Sequence, residues 1–151
     1  NAVHYGYDLF EDITPKILAT ELSHHDWGIE SEVRKELSKF KLDCLMNNKN
    51  TFNYTLIRGN TRETLVNCDP VDFVWLDGGH AIETIRSDYN NVKESKCIVF
   101  DDYWDDDTLG GCKSLVDQLD AEIIMTDDPL YDLWGDREGQ IGTIGIAIIR
   151  K

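Results

Sequence analysis

The sequence predicts an α/β domain built around a mostly parallel β-sheet, and three observations carry that prediction. Stretches with strand character alternate along the chain with stretches of helical periodicity, the order that arises when helices connect parallel strands. Two of the strand-like stretches, residues 71–76 and 97–100, are largely apolar, which suits central strands covered on both faces. The chain has 151 residues, enough for one domain with its own core.

Each element has its own local reason. AVHYGYDLF, residues 2–10, opens with a short strand pattern that ends at Asp8. A polar, loop-like stretch follows, with Pro15 and the HHDWG of residues 24–28. In residues 30–46, Val33, Leu37, Phe40 and Leu45 recur close to helical spacing, so an amphipathic helix is expected. NNKN ends it. FNYTLIRGN, residues 52–60, is a second strand stopped by Gly59, and TRETLVNC is a short helical turn before Pro70. VDFVWLDGG, residues 71–79, reads as a buried strand with Trp75 in the core. Residues 81–92 place Ile82, Ile85, Tyr89 and Val92 on one helical face. KCIVFDD is the next buried strand, residues 112–120 a helix, and AEIIMT a further strand. DDPLYDLWGDREG is turn-rich and aromatic, and TIGIAIIRK closes the chain as a strand. Residues 1–151 are read as a single domain, without repeats or low-complexity tracts.

The formal net charge of −14 argues against nucleic acid and anionic membranes as partners, since both need a basic footprint. The acidity serves solubility, or part of it forms a cation site. Cys44, Cys68, Cys97 and Cys112 show no C-x-x-C spacing, which suits a reducing compartment better than a disulfide framework. With no signal peptide or membrane-length apolar run, a cytoplasmic protein is expected. Because the chain begins at Asn1 rather than Met, an upstream segment is expected as well.

The carboxylates cluster where strands end. Asp8, Asn60, Asp77 and Asp101 each follow a predicted strand, and α/β sheets bind ligands at the carboxyl ends of their strands. Adjacent parallel strands lie about 4.8 Å apart, so Asp77 and Asp101 on neighbouring strands would converge, with Asp102 as a third oxygen donor. Such a set suits Mg²⁺, Mn²⁺ or Ca²⁺. Any one of these aspartates has the alternative role of capping a helix. Asp105, Asp106 and Asp107 read as a solvated loop or lid. His80, three residues past Asp77, is placed to take a proton from a substrate hydroxyl, or simply to order the turn. Gly78 and Gly79 permit a sharp turn there. No dinucleotide fingerprint or P-loop is present. Tyr103 and Trp104 either wall a substrate pocket or pack beneath the loop.

The series YGYDLF, LIRGNTRETL, VDFVWLDGGHAIETIRSDY and CIVFDDYW resembles the class I S-adenosylmethionine-dependent methyltransferases. It is most similar to the metal-dependent O-methyltransferase branch with a D-G-x-H turn and a D-D-Y turn. The resemblance spans nearly the whole chain, and the pairing of LDGGH with FDDY is its most specific part. It implies a Rossmann-like three-layer sandwich whose last strand is antiparallel. It also implies that Asp8 takes the cofactor's ribose hydroxyls, that Asn60 and Thr61 lie beside the adenine, and that Asp77 contributes to the cofactor site. Asp77, Asp101 and Asp102 would be the ligands of a divalent metal such as Mg²⁺, and His80 the base. The implied reaction moves a methyl group from S-adenosylmethionine to the oxygen of a small hydroxylated substrate.

This sequence departs from the family in one respect. The glycine-rich loop and first strand that should precede YGYD are absent, so a gap is expected between the strands ending at Asp8 and Asp77, with homodimerisation as one way to cover it. Two rival readings stand beside this one. The same aspartates would serve metal-dependent hydrolysis or phosphoryl transfer, and a non-catalytic remnant of the fold would use its acidic rim to bind cations or a basic partner.

Overall fold

In a computed structural model of the chain, residues 3–8, 14, 54–105, 111–126, 130–132 and 139–151 are described. The helix expected over residues 30–46 lies outside them, as do Cys44, His24, His25, Asp106 and Asp107. The described residues form an α/β structure with both parallel and antiparallel strand pairs.

Strand β1 (His4–Asp8) pairs in parallel with β2 (Tyr54–Arg58), Asp8 standing opposite Arg58. β2 stops at Gly59, whose φ of +138° suits glycine and where a Cβ would come within 2.8 Å of the Thr64 side chain. Asn60 then caps α1 (Thr61–Thr64), its side chain accepting the backbone N–H of Arg62 at 3.0 Å.

A second sheet has four strands. β3 (Val74–Leu76) runs parallel to β4 (Cys97–Trp104), with Val74 opposite Ile98 and Leu76 opposite Phe100. Between them the chain passes through α2 (Ile82–Val92). α3 (Lys113–Val116) leads to β5 (Glu122–Met125), and a hairpin of β6 (Leu130–Asp132) and β7 (Gly139–Gly142) precedes β8 (Ile144–Arg150). β8 lies antiparallel between β4 and β5, as expected for the last strand.

The core sits where α2 and α3 pack on this sheet. Val92, Ile98, Phe100, Tyr103, Cys112, Leu115, Val116 and Ala147 are buried there together, with Ile82, Ile85 and Tyr89 of the predicted apolar stripe packed against them. The Tyr89 and Phe100 rings meet at 5.6 Å in a tilted arrangement. α3 is fastened by polar contacts: the Tyr103 hydroxyl donates to Asp117 at 2.7 Å, and Lys113 bridges to the other Asp117 oxygen at 2.6 Å.

Three sequence expectations are corrected, and one open alternative is decided. Among the described residues β3 is an edge rather than a central strand: it pairs only with β4, and Phe73 and Trp75 are 57% and 49% exposed. β4 does not stop at the paired aspartates, because β8 keeps pairing with it as far as Trp104. Of the two alternatives for Tyr103 and Trp104, the structure favours packing: both are buried in the sheet. Part of the turn-rich segment forms the β6–β7 hairpin. No helix among the described residues is long and apolar enough to cross a membrane.

Candidate functional site

β3 and β4 end their shared ladder at Leu76 and Phe100, so Asp77 and Asp101 stand one residue beyond a matched pair of parallel strands. The cleft that opens there is lined by Asp77, Gly78, Gly79 and His80 from the turn after β3, by Asp88 of α2, and by Asp101, Asp102, Gly111 and Cys112. Four of the residues singled out from the sequence (Asp77, His80, Asp101 and Asp102) thus share one cleft.

The two adjacent aspartates line the same cleft because β4 is bulged between them and β8. Phe100 pairs with Ala147 and Tyr103 with Gly145, so three steps along β4 match two along β8. Asp102 takes the left-handed conformation, φ +53°, uncommon for a residue with a side chain. Its carboxylate then meets Nε2 of His80 at 2.7 Å.

That hydrogen bond is the main reason the His80 pKa is raised; burial opposes it, and the charges of Asp102, Asp77 and Asp101 reinforce it. Burial lifts the Asp101 carboxyl above the ordinary carboxylate range, and the charges of Asp102 and Asp77 push the same way. A neutral imidazole that donates from Nε2 to Asp102 carries its lone pair on Nδ1, so the pairing selects a tautomer as well as an orientation.

Three lining residues were not singled out as site residues from the sequence. Asp88 is buried on α2 and accepts the Thr61 hydroxyl at 3.0 Å, which ties the start of α1 to the cleft. Its signal was there: an acid in line with Thr84 and Val92 at four-residue spacing, on the inward face of a helix. Cys112 is buried, and burial pushes its thiol up to about 12, so it is a neutral thiol rather than a nucleophile. Gly111 lies beside it with φ +81°.

The residues expected to hold a cofactor are placed differently. Asp8 and Asn60 come at and just after the ends of the paired strands β1 and β2. The Asn60 side chain is engaged as the α1 cap and the Thr61 hydroxyl by Asp88, so neither is simply waiting for a ligand. Asp105, expected in a mobile acidic loop, is instead pinned to Thr143, accepting its N–H at 3.1 Å and its hydroxyl at 2.6 Å. Among the described residues, no group of three or more His, Cys, Asp or Glu side chains is gathered closely enough to hold a metal ion as it stands. The donor chemistry nevertheless suits a hard cation: the lining acids offer carboxylate oxygens, and their mutual repulsion at Asp101 is what a bound cation would relieve.

Comparison with known proteins yields no match, whether to family models, curated proteins or solved structures.

Proposed function

We propose that this chain is a Rossmann-like S-adenosylmethionine-dependent methyltransferase domain that carries out metal-assisted O-methylation of a small hydroxylated substrate. The observation that carries the reading is the His80–Asp102 pair, set in a cleft with Asp77 and Asp101 at the ends of adjacent parallel strands. The strand order supports it: a parallel pair β1–β2, then a separate sheet β3-β4-β8-β5 with the final strand inserted antiparallel. A Rossmann-like methyltransferase lacking its first strand between β1 and β3 would have that pattern.

S-adenosylmethionine would supply the electrophilic methyl group, and a divalent cation held by Asp77, Asp101 and Asp102 would acidify the acceptor hydroxyl. Asp8 and Asp77 are the side chains proposed for the cofactor, while Asn60 and Thr61 shape its surroundings through the start of α1. The chain's own chemistry is proton removal. His80 accepts the hydroxyl proton at Nδ1, and Asp102 stabilises the resulting imidazolium through Nε2. The cleft orients the acceptor oxygen for in-line displacement.

Calorimetric titration with S-adenosylhomocysteine, with and without Mg²⁺, tests this reading. Binding that strengthens with Mg²⁺, and that Asp77→Asn and Asp101→Asn weaken, is the expected result. Metal affinity unchanged in both variants would remove the cation from the proposal. No binding of the cofactor product under any condition would count against the cofactor assignment for this chain.

A further inference from the structure

We propose that Gly111 is the positioning residue of the cleft: it admits the left-handed turn at Asp102 that sets this carboxylate against His80. The inference rests on the reading that the His80–Asp102 pair is the working centre. Residues with a side chain are uncommon in the left-handed region, aspartate less so than most, and at Asp102 the neighbouring structure favours it. Two neighbours act on the same atom. The Cys112 N–H donates to the Asp102 carbonyl at 3.2 Å, just before α3 begins. Gly111 faces that carbonyl with no side chain, and a Cβ there would stand 2.2 Å from its oxygen and 3.3 Å from its carbon.

Two described neighbours crowd the same spot. The same Cβ would also come within 3.0 Å of Cδ1 of Trp104, which is itself buried, and Gly111 has φ +81°, where any side chain is strained. A side chain at position 111 and the Asp102 carbonyl therefore cannot both keep their places, and one must move away from the other. That breaks the Cys112 bond and rotates the backbone that aims the carboxylate. Asp102 and His80 would keep their identities and lose their geometry.

The test uses the 151-residue chain and reads the ring-nitrogen NMR resonances of His80 at one fixed pH, with His4 as internal reference. Asp102→Ala defines the resonances of an unpaired His80. Gly111→Ala should shift His80 toward those positions. Val92→Ala, which opens the core at the far end of α2, should lower the melting temperature and leave them in place. If Asp102→Ala moves His80 and Gly111→Ala does not, the Gly111 inference is wrong and the pair survives. Should Asp102→Ala leave His80 unmoved, the pair itself is absent and both readings fall. Hydrogen exchange of the Cys112 amide in the unaltered chain covers the case in which Gly111→Ala does not fold. Protection supports the lock, and exchange at the rate of an unstructured amide overturns it.

Discussion

At the scale of single residues, the cleft holds a close contact between His80 Nε2 and the Asp102 carboxylate. The folded chain raises the His80 pKa, chiefly through the Asp102 hydrogen bond. The folded state therefore binds more protons than the unfolded one in the window from about 6.5, the ordinary histidine value, upward. This contribution to stability is fully present below that value and is lost as pH rises through the raised pKa. His80→Gln should flatten this part of the pH profile, as followed by urea unfolding at a series of pH values. An unchanged slope would mean that His80 is not coupled to folding. The sequence made His80, Asp77, Asp101 and Asp102 visible because polar residues directly after apolar runs stand out. Gly111 and Cys112 were not visible as neighbours of Asp102, because that proximity comes from the return of the chain into α3, which no local pattern encodes.

At the scale of elements, the short helix α3 depends on its fastening. Tyr103 is buried and places its hydroxyl on Asp117, whose carboxyl is held below its ordinary range first by Lys113 and then by Tyr103. Tyr103→Phe should cost roughly 1 kcal/mol, a typical net hydrogen bond, read as a lower urea midpoint at unchanged slope. Phe100→Ala should cost about 3–5 kcal/mol, since that ring is fully buried between α2 and the sheet. α2 was legible because its apolar spacing recurs over a full element. β3 was misread because an apolar run states that a strand can be covered on both sides, not that it is. Its length, Val74–Leu76, and the exposure of Phe73 and Trp75 are set by which strands lie beside it.

At the scale of the whole molecule, 29 acidic residues face 15 basic ones, and the compact state concentrates that repulsion. Raising NaCl from about 10 mM, where the screening length is near 30 Å, to about 150 mM, where it is near 8 Å, should raise the melting temperature. Mg²⁺ at matched ionic strength should raise it further if the cleft binds the ion, and Asp101→Asn should remove only that extra increment. Equal effects of the two salts would leave acidity as a general surface property. The alternation of strand and helix was readable from the sequence, and so was the antiparallel last strand through the family resemblance. Among the described residues β1–β2 and β3-β4-β8-β5 are separate sheets, an arrangement that no residue pattern announces.

The bulge in β4 also says which residue the strand could do without. Ile98 and Phe100 point into the core from even positions, while Tyr103 enters it from an odd one; regular alternation would forbid that. Removing Asp102 would leave Tyr103 opposite Gly145, where it already is, and close the ladder between them and the Phe100–Ala147 pair, with Phe100 and Tyr103 still facing inward. A one-residue deletion in the middle of a core strand, ordinarily ruinous, should therefore leave a cooperative unfolding transition here. The shortened chain would keep its core and lose the partner of His80, an outcome that would mark Asp102 as dispensable to the sheet.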